Sequence, residues 1–441
     1  MTMLLFIHLS LYILYLSAFL WLIKRSHFFD IQSVSRFQLG IFFLIKVAAG
    51  ILLTVVYTYY YTDRTHNDIY RYFNDSVIIS SVLFKNPSAW IKIMLDAGLE
   101  HPETFQYLIP TQNFSHSSLD MITNNSLIIR LNVLLNYASH YNIWINTLFF
   151  DFLSYAGMVA LYKTLQPYFK PLPNALSIPI FLIPSVVFWS SGLLKESMYF
   201  MCFGFWLHSF LWLTQGRKKA RDIIFLFVTS WLILSIKIQF FAILFISAYF
   251  FLLISSVGLK RWAGIALLLF FTLIAWYGHF MTFICEVISY KRTEFILLAN
   301  AQNAGSLIPL NQLATDCLEL FYEIPSGFIN AVFRPFIWEY KNLFQLIFCF
   351  ENLFFLLAIM FVLIRFFKYP QGVKKHLFVF FFLFSILNYL VIGLTVPIEG
   401  AIVHYRVVAT PSLFISALLV IDLEKLKGFV YAILQLRYGQ E

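Results

Sequence analysis

The feature that most constrains this chain is a succession of apolar runs, such as Gln38 to Tyr60 and Leu343 to Ile364, separated by short loops carrying lysine and arginine. A helix needs about 20 apolar residues to cross the hydrocarbon of a bilayer, fewer where neighbouring helices shelter its ends. By that measure the sequence predicts about 11 spans: Met3 to Ile23, Gln38 to Tyr60, Ile143 to Tyr162, Ala175 to Ser191, Ser197 to Thr214, Ile223 to Ile236, Ile238 to Val257, Ala263 to Phe283, Leu343 to Ile364, Leu377 to Thr395 and Val407 to Ile421. Charged residues make up 12% of the chain and hydrophobic ones 60%, whereas soluble domains are about 25% charged. The expected fold is therefore all-α, a polytopic transmembrane helical bundle forming one domain over residues 1–441.

The loops fix an expected orientation. If the spans alternate, one side holds 18 basic residues against five acidic ones, including Lys24, Arg25, Arg36, Lys163, Lys170 and the run GRKKAR at 216–221. The other side and the spans hold 13 basic and 17 acidic residues. Positive loops stay in the cytoplasm, so the N-terminus is expected outside and the C-terminus inside, with the first apolar run retained as a helix. The same clustering turns a pI near 9.2 into a membrane signature and argues against nucleic acid as a partner.

Two outer segments, 61–142 and 284–342, are much longer than a connection requires. The first contains amphipathic stretches, Pro87 to Leu99 and Ser126 to Tyr141, which read as helices lying on the membrane surface. The expected working face is therefore the outer one, periplasmic in a Gram-negative cell. Of four cysteines, only Cys285 and Cys317 fall outside the apolar runs, which permits a disulfide without indicating one.

The first outer segment opens with Tyr57 to Lys85, a loop carrying Asp63, Asp68 and Asp75 among many tyrosines. A helix starting near Thr65 puts Asp68, Tyr72 and Asp75 on one face at i, i+4 and i+7. A carboxylate at a wet membrane mouth can act as a general base, bind a metal or remain a solvated charge of an aromatic belt. In PSVVFWSSGLLKES, Pro184 to Ser197, Lys195 and Glu196 interrupt two apolar runs, and Lys237 sits in a similar junction. Near the end, Glu399, His404 and Arg406 open the last span, and Arg334 lies in the second outer segment. Arginine grips phosphate through a planar, always-charged fork; all of these also have a reading as snorkelling anchors. Lys46, Asp151 and Glu351 lie inside apolar runs, where they must pair or line a polar cavity. Walker A, GxGxxG, HExxH and GxSxG sequences are all missing, leaving nucleotide-driven transport, zinc proteolysis and elbow-serine hydrolysis without support.

The segment HNDIYRYFNDS, 66–76, is similar to the acidic first-loop motif of the GT-C superfamily of integral-membrane glycosyltransferases. NSLIIRLN, PSVVFWSSGLLKES, FRPFIWEYKN with the later Glu351, and HYRVVATPS resemble segments of bacterial envelope proteins of this type. The chain departs from the motif in reading Asn67-Asp68 where Asp-x-Asp is expected, and in an extra N-terminal span. The resemblance implies transfer of a sugar from a polyprenyl-phosphate donor to a glycan, lipid or protein acceptor at the outer face of the bacterial inner membrane. It implies Asp68 as base, with Asp75 as the other catalytic candidate. Arg406, Lys195, Lys237, Arg334, His404, Tyr72 and Glu196 become candidates for binding substrate or its phosphate. A divalent cation, Mg or Mn, is a candidate cofactor, and no nucleotide is expected. An oligosaccharide polymerase or ligase is the nearest alternative, and a transporter or flippase the next.

Overall fold

The computed structural model describes residues 2–60, 64, 67–114, 125–216, 219–255, 264, 272, 279–301, 305–310, 317–340, 343–368 and 374–421. Among these residues there are helices and no strand. The chain divides into two compact units, residues 1–241 and 242–441.

In the first unit α1 (Thr2–Arg25) and α2 (Arg36–Val55) form an antiparallel pair. The turn between them is built by local chemistry. Ser35 caps α2 by accepting from the Gln38 amide at 3.2 Å, and the Gln38 side chain accepts from the Ser35 amide at 2.9 Å, a reciprocal box that satisfies two orphan donors. Arg36 donates to the carbonyls of Ile23, Lys24 and Ser26 at the end of α1 and pairs with Asp30 at 2.9 Å. The outer segment folds as α3 (Asp68–Lys85), α4 (Pro87–Met94), α5 (Pro102–Leu108) and α6 (Ser126–Ser139). α7 (Ile143–Leu165) then re-enters the apolar layer, capped by Asn142, which accepts from the amides of Trp144 and Ile145.

The stretch expected as one span from Ala175 to Ser191 is not a regular helix. Prolines at 167, 171, 173, 179 and 184 remove the amide protons a continuous helix needs. The result is short helical turns (Gln166–Phe169, Pro173–Leu176 and Ile178–Leu182) followed by α8 (Pro184–Trp189). After a break come α9 (Lys195–Thr214), α10 (Ala220–Ile236) and α11 (Ile238–Ile254). α7 and α9 cross where Gly157 meets Gly204: a Cβ on either would fall on main-chain atoms of the other helix. Small residues permit this close crossing of apolar helices.

α6 is more than a surface helix. It packs between α3 and α7 with Asn132 and Asn136 fully buried. Asn136 donates to Ser76 and Ser80 of α3, and Asn146 of α7 donates to Asn132 and Asn136. The amphipathic pattern there thus serves a protein interface.

The second unit contains most of α11 together with α12 (His279–Ala301), α13 (Cys317–Phe333), α14 (Leu343–Lys368), α15 (Lys375–Thr395), α16 (Glu399–Arg406) and α17 (Thr410–Leu419). Gly327 of α13 and Gly393 of α15 make the same kind of close crossing. A disulfide joins Cys285 to Cys317, tying α12 to α13.

By length and apolarity, four described helices can cross a membrane: Met3–Arg25, Arg36–Tyr60, Ile143–Phe169 and Lys375–Thr395. α16 and α17 make a fifth if their 55° bend lies within one span. The molecule is thus a helical membrane protein. The expected span Ala263 to Phe283 lies largely outside the described residues.

Candidate functional site

The start of α3 is fastened to the end of α2. Asn67, buried, donates its amide to the Tyr57 carbonyl at 2.7 Å, and the Tyr70 hydroxyl meets Thr58 Oγ1 at 2.7 Å. Arg64 lies over the Tyr70 ring at 4.5 Å. These contacts hold a helix N-terminus, with its unpaired amides and positive dipole end, at the mouth of the span.

Asp68 is the first residue of α3 and is half-buried. Among the described residues its carboxylate makes no hydrogen bond or ion pair. Tyr72, one turn on and 4% exposed, donates to Asn125 Oδ1 at 3.1 Å. Asp75, 1% exposed, accepts from the amides of Gln112, Asn113 and Phe114 at 2.7–3.2 Å. The two aspartates therefore differ in availability: Asp75 anchors residues 112–114, whereas Asp68 is open to a reactant. Asp63 lies outside the described residues.

The break between α8 and α9 sits against this corner. Gly192 has a positive φ of 75°, and a Cβ there would lie 2.9 Å from Leu53 Cδ2 and 4.0 Å from Ile69 Cδ1. Ile69 follows Asp68 directly, so two constellations far apart in sequence meet in the first unit. Lys195, half-buried, begins α9. Glu196, 2% exposed, pairs with Lys237 at 3.3 Å, and the Lys237 ammonium lies 5.1 Å from the Phe240 ring. Glu196 in the first turn of α9 also faces the favourable end of the helix dipole.

Beneath the break lies a buried polar cluster. Lys46 donates to Ser190 O and Oγ and to Ser191 Oγ at 2.8, 2.7 and 3.4 Å, and Asp151 Oδ1 accepts from the Gly192 amide at 2.7 Å. Ser154 and Ser197 also donate to the Ser190 carbonyl. The sequence marks Lys46 and Asp151 as buried charges, but not Ser190, Ser191 and Gly192 as their partners. The signal was the small-residue run SSG within an apolar stretch.

The second unit holds the remaining candidates. Arg406 is fully buried at the α16–α17 bend. It donates to the carbonyls of Ala331, Val332 and Arg334 at 3.1–3.3 Å and to Asn352 Oδ1, with its guanidinium 4.8 Å from the Phe355 ring. The three main-chain acceptors lie at the end of α13, where carbonyls lack helical partners, so Arg406 clasps that end to the bend, and through Asn352 to α14. Arg334 is 3.6 Å from Glu339 and 5.6 Å from the Phe336 ring. His404, 8% exposed, stacks on Tyr405, and Glu399 and Glu351 are also buried. Asn352, beside Glu351, was not singled out by sequence. Among the described residues, no three His, Cys, Asp or Glu side chains converge as metal ligands. Comparison of the chain with protein-family models, with curated proteins and with solved structures finds no match.

Proposed function

We propose that this chain is a membrane glycosyltransferase of the GT-C type, taking sugar from a polyprenyl-phosphate donor at the outer face of a bacterial inner membrane. The topology that accompanies this reading has about 11 spans, the N-terminus outside and the C-terminus cytoplasmic. One observation carries it: Asp68 is an available carboxylate on the first turn of a helix fastened to the mouth of span α2, beside the α8–α9 break. A base belongs where an acceptor hydroxyl from water can meet a lipid-borne donor.

In the proposed step Asp68 accepts the hydroxyl proton as the acceptor oxygen bonds to the anomeric carbon. The bond from that carbon to the phosphate oxygen breaks on the opposite face, inverting the centre, and the electron pair leaves with the polyprenyl phosphate. Lys195, at the same break, stabilises the developing phosphate charge. Lys237, already paired with Glu196, holds the α9 start in place. Arg406 serves the bend in the second unit.

The test uses the full chain in proteoliposomes with a panel of radiolabelled polyprenyl-phosphate monosaccharides. Asp68→Asn is expected to reduce transfer roughly 10²- to 10⁴-fold, the usual worth of a positioned base, while donor binding persists. Full transfer by Asp68→Asn would overturn the assignment. A transport reading draws on Lys46 and Asp151, buried in spans beside a broken helix, a pattern that marks ion paths in transporters. Substrate-coupled proton movement lost in Asp151→Asn and retained in Asp68→Asn would favour it.

A further inference from the structure

The proline-rich segment 166–182 leaves two adjoining cavities at the basic end of α1, α2 and α7, in the first unit and independent of the reading above. The first, about 370 Å³, is lined by Gln32, Ser33, Gln166, Lys170 and Asn174 together with prolines. The second, about 230 Å³, shares Asn174 and is lined by Val34, Gln38, Phe42, Ser177, Ile178 and Leu182. One compartment is thus hydrogen-bonding and the other mainly apolar. The apolar one runs along α2, and Ile178 and Leu182 expose their side chains there.

Charge decides what fits. No carboxylate lines either cavity. Lys24, Arg25, Arg36, Lys163 and Lys170 surround this end, against Asp30, which Arg36 already holds. Arg36 also serves the carbonyls at the end of α1, and Lys163 donates to the carbonyls of His27 and Phe28. Lys170 makes no hydrogen bond or ion pair among the described residues, and it lines the polar compartment. The Ser33 hydroxyl is engaged with Gln166 Oε1 and the Tyr162 hydroxyl, so the groups that suit a phosphate are the Lys170 ammonium and the side-chain amides of Gln32, Gln166 and Asn174; an apolar groove beginning beside them suits an acyl chain.

We infer that these two cavities form a seat for one anionic glycerophospholipid of the adjacent leaflet, its phosphate at Lys170 and one chain along Phe42, Ile178 and Leu182. The basic end of a membrane protein is where anionic lipid accumulates. The shape, donor set and charge each point to the same amphiphile.

The test is native mass spectrometry of the full-length protein in detergent, titrated with phosphatidylglycerol, phosphatidylcholine of identical chains, or glycerol phosphate. The expected result is saturable retention of phosphatidylglycerol, about tenfold tighter than phosphatidylcholine, with glycerol phosphate far weaker than either. Lys170→Glu should erase the preference for the anionic head, and Leu182→Arg should weaken both lipids. Both residues are exposed, and an unchanged thermal midpoint for each variant would exclude misfolding. Equal retention of the two lipids, glycerol phosphate binding as tightly as phosphatidylglycerol, or an unaltered preference in Lys170→Glu would each overturn the inference.

Discussion

A double-mutant cycle at Lys46 and Asp151 tests whether the interior of the first unit is organised by charge. Lys46 is 2% exposed and Asp151 fully buried. The Lys46 ammonium has three acceptors at the break, while Asp151 Oδ2 is buried with no hydrogen-bond partner among the described residues. The charges complement the local dipoles: Lys46 meets the Ser190 carbonyl and two serine hydroxyls just past the C-terminal end of α8, and Asp151 meets an amide on the way into α9. Lys46→Met strands a buried carboxylate, and Asp151→Asn strands a buried ammonium; each should cost about 3–5 kcal/mol. Two unit charges 4 Å apart in an effective dielectric of 20 interact by roughly 4 kcal/mol, a ceiling for groups that are not in direct contact. The double variant should therefore recover about 2 kcal/mol relative to the sum of the singles. Unfolding free energies in mixed micelles measure all four corners. Single costs below about 1 kcal/mol, or additivity within about 0.5 kcal/mol, would refute the electrostatic account.

Four further outcomes follow from the same geometry. Asp75→Ala leaves three amides of residues 112–114 without their acceptor and should cost about 3 kcal/mol, with faster hydrogen exchange in that loop; Asp75→Asn should recover part of the loss. Gly204→Ala and Gly393→Ala place a Cβ on main-chain atoms of the facing helix, so each should destabilise its unit by about 1–3 kcal/mol or more, and a neutral effect would mean the crossings are looser than described. Replacing Cys285 and Cys317 by alanine opens a crosslink across 32 residues and should cost about 3–4 kcal/mol by loop entropy; in the native chain a thiol mass tag should reach these cysteines only after reduction. Asp30 is held below the usual carboxylate range by its hydrogen bond from Arg36. Its contribution is therefore present above the unfolded pKa of about 3.9 and fades as pH falls through the lower folded value, so Asp30→Asn should flatten the acid limb of the stability profile below about pH 4.

The sequence made the apolar helices legible because their signal is compositional and local. Gln38 to Tyr60 and Leu377 to Thr395 correspond closely to α2 with its final turn and to α15. The helix bearing Asp68, Tyr72 and Asp75 was also legible, since its periodicity is carried by neighbours in sequence, although it begins at Asp68 and not near Thr65. What the pattern could not give was the fate of each polar group. Asp68 and Asp75 look alike in sequence; the difference arises from a loop 37 to 39 residues further on. Ser126 to Tyr141 reads as a surface helix because most of its polar residues are asparagines and serines, which suit water equally well. The structure pairs several of them with Ser76, Ser80 and Asn146 instead.

The buried charges show why. A helix that stops inside an apolar layer exposes main-chain groups that lipid cannot satisfy, at several kcal/mol each, so another part of the protein must meet them. Lys46 sits in the regular helix α2, yet its hydrogen bonds serve a break 144 residues later. Arg406 stands at the α16–α17 bend, yet it serves the carbonyls at the end of α13, more than 70 residues earlier. In both units the ionisable residue in one apolar run answers a discontinuity in another. A lone charge within such a run is therefore better read as a statement about a distant broken helix than as a defect of its own. The PSVVFWSSGLLKES segment follows from that logic: the break is held by Lys46 and Asp151, and being held, it can keep Gly192 fixed against the first turn of α3.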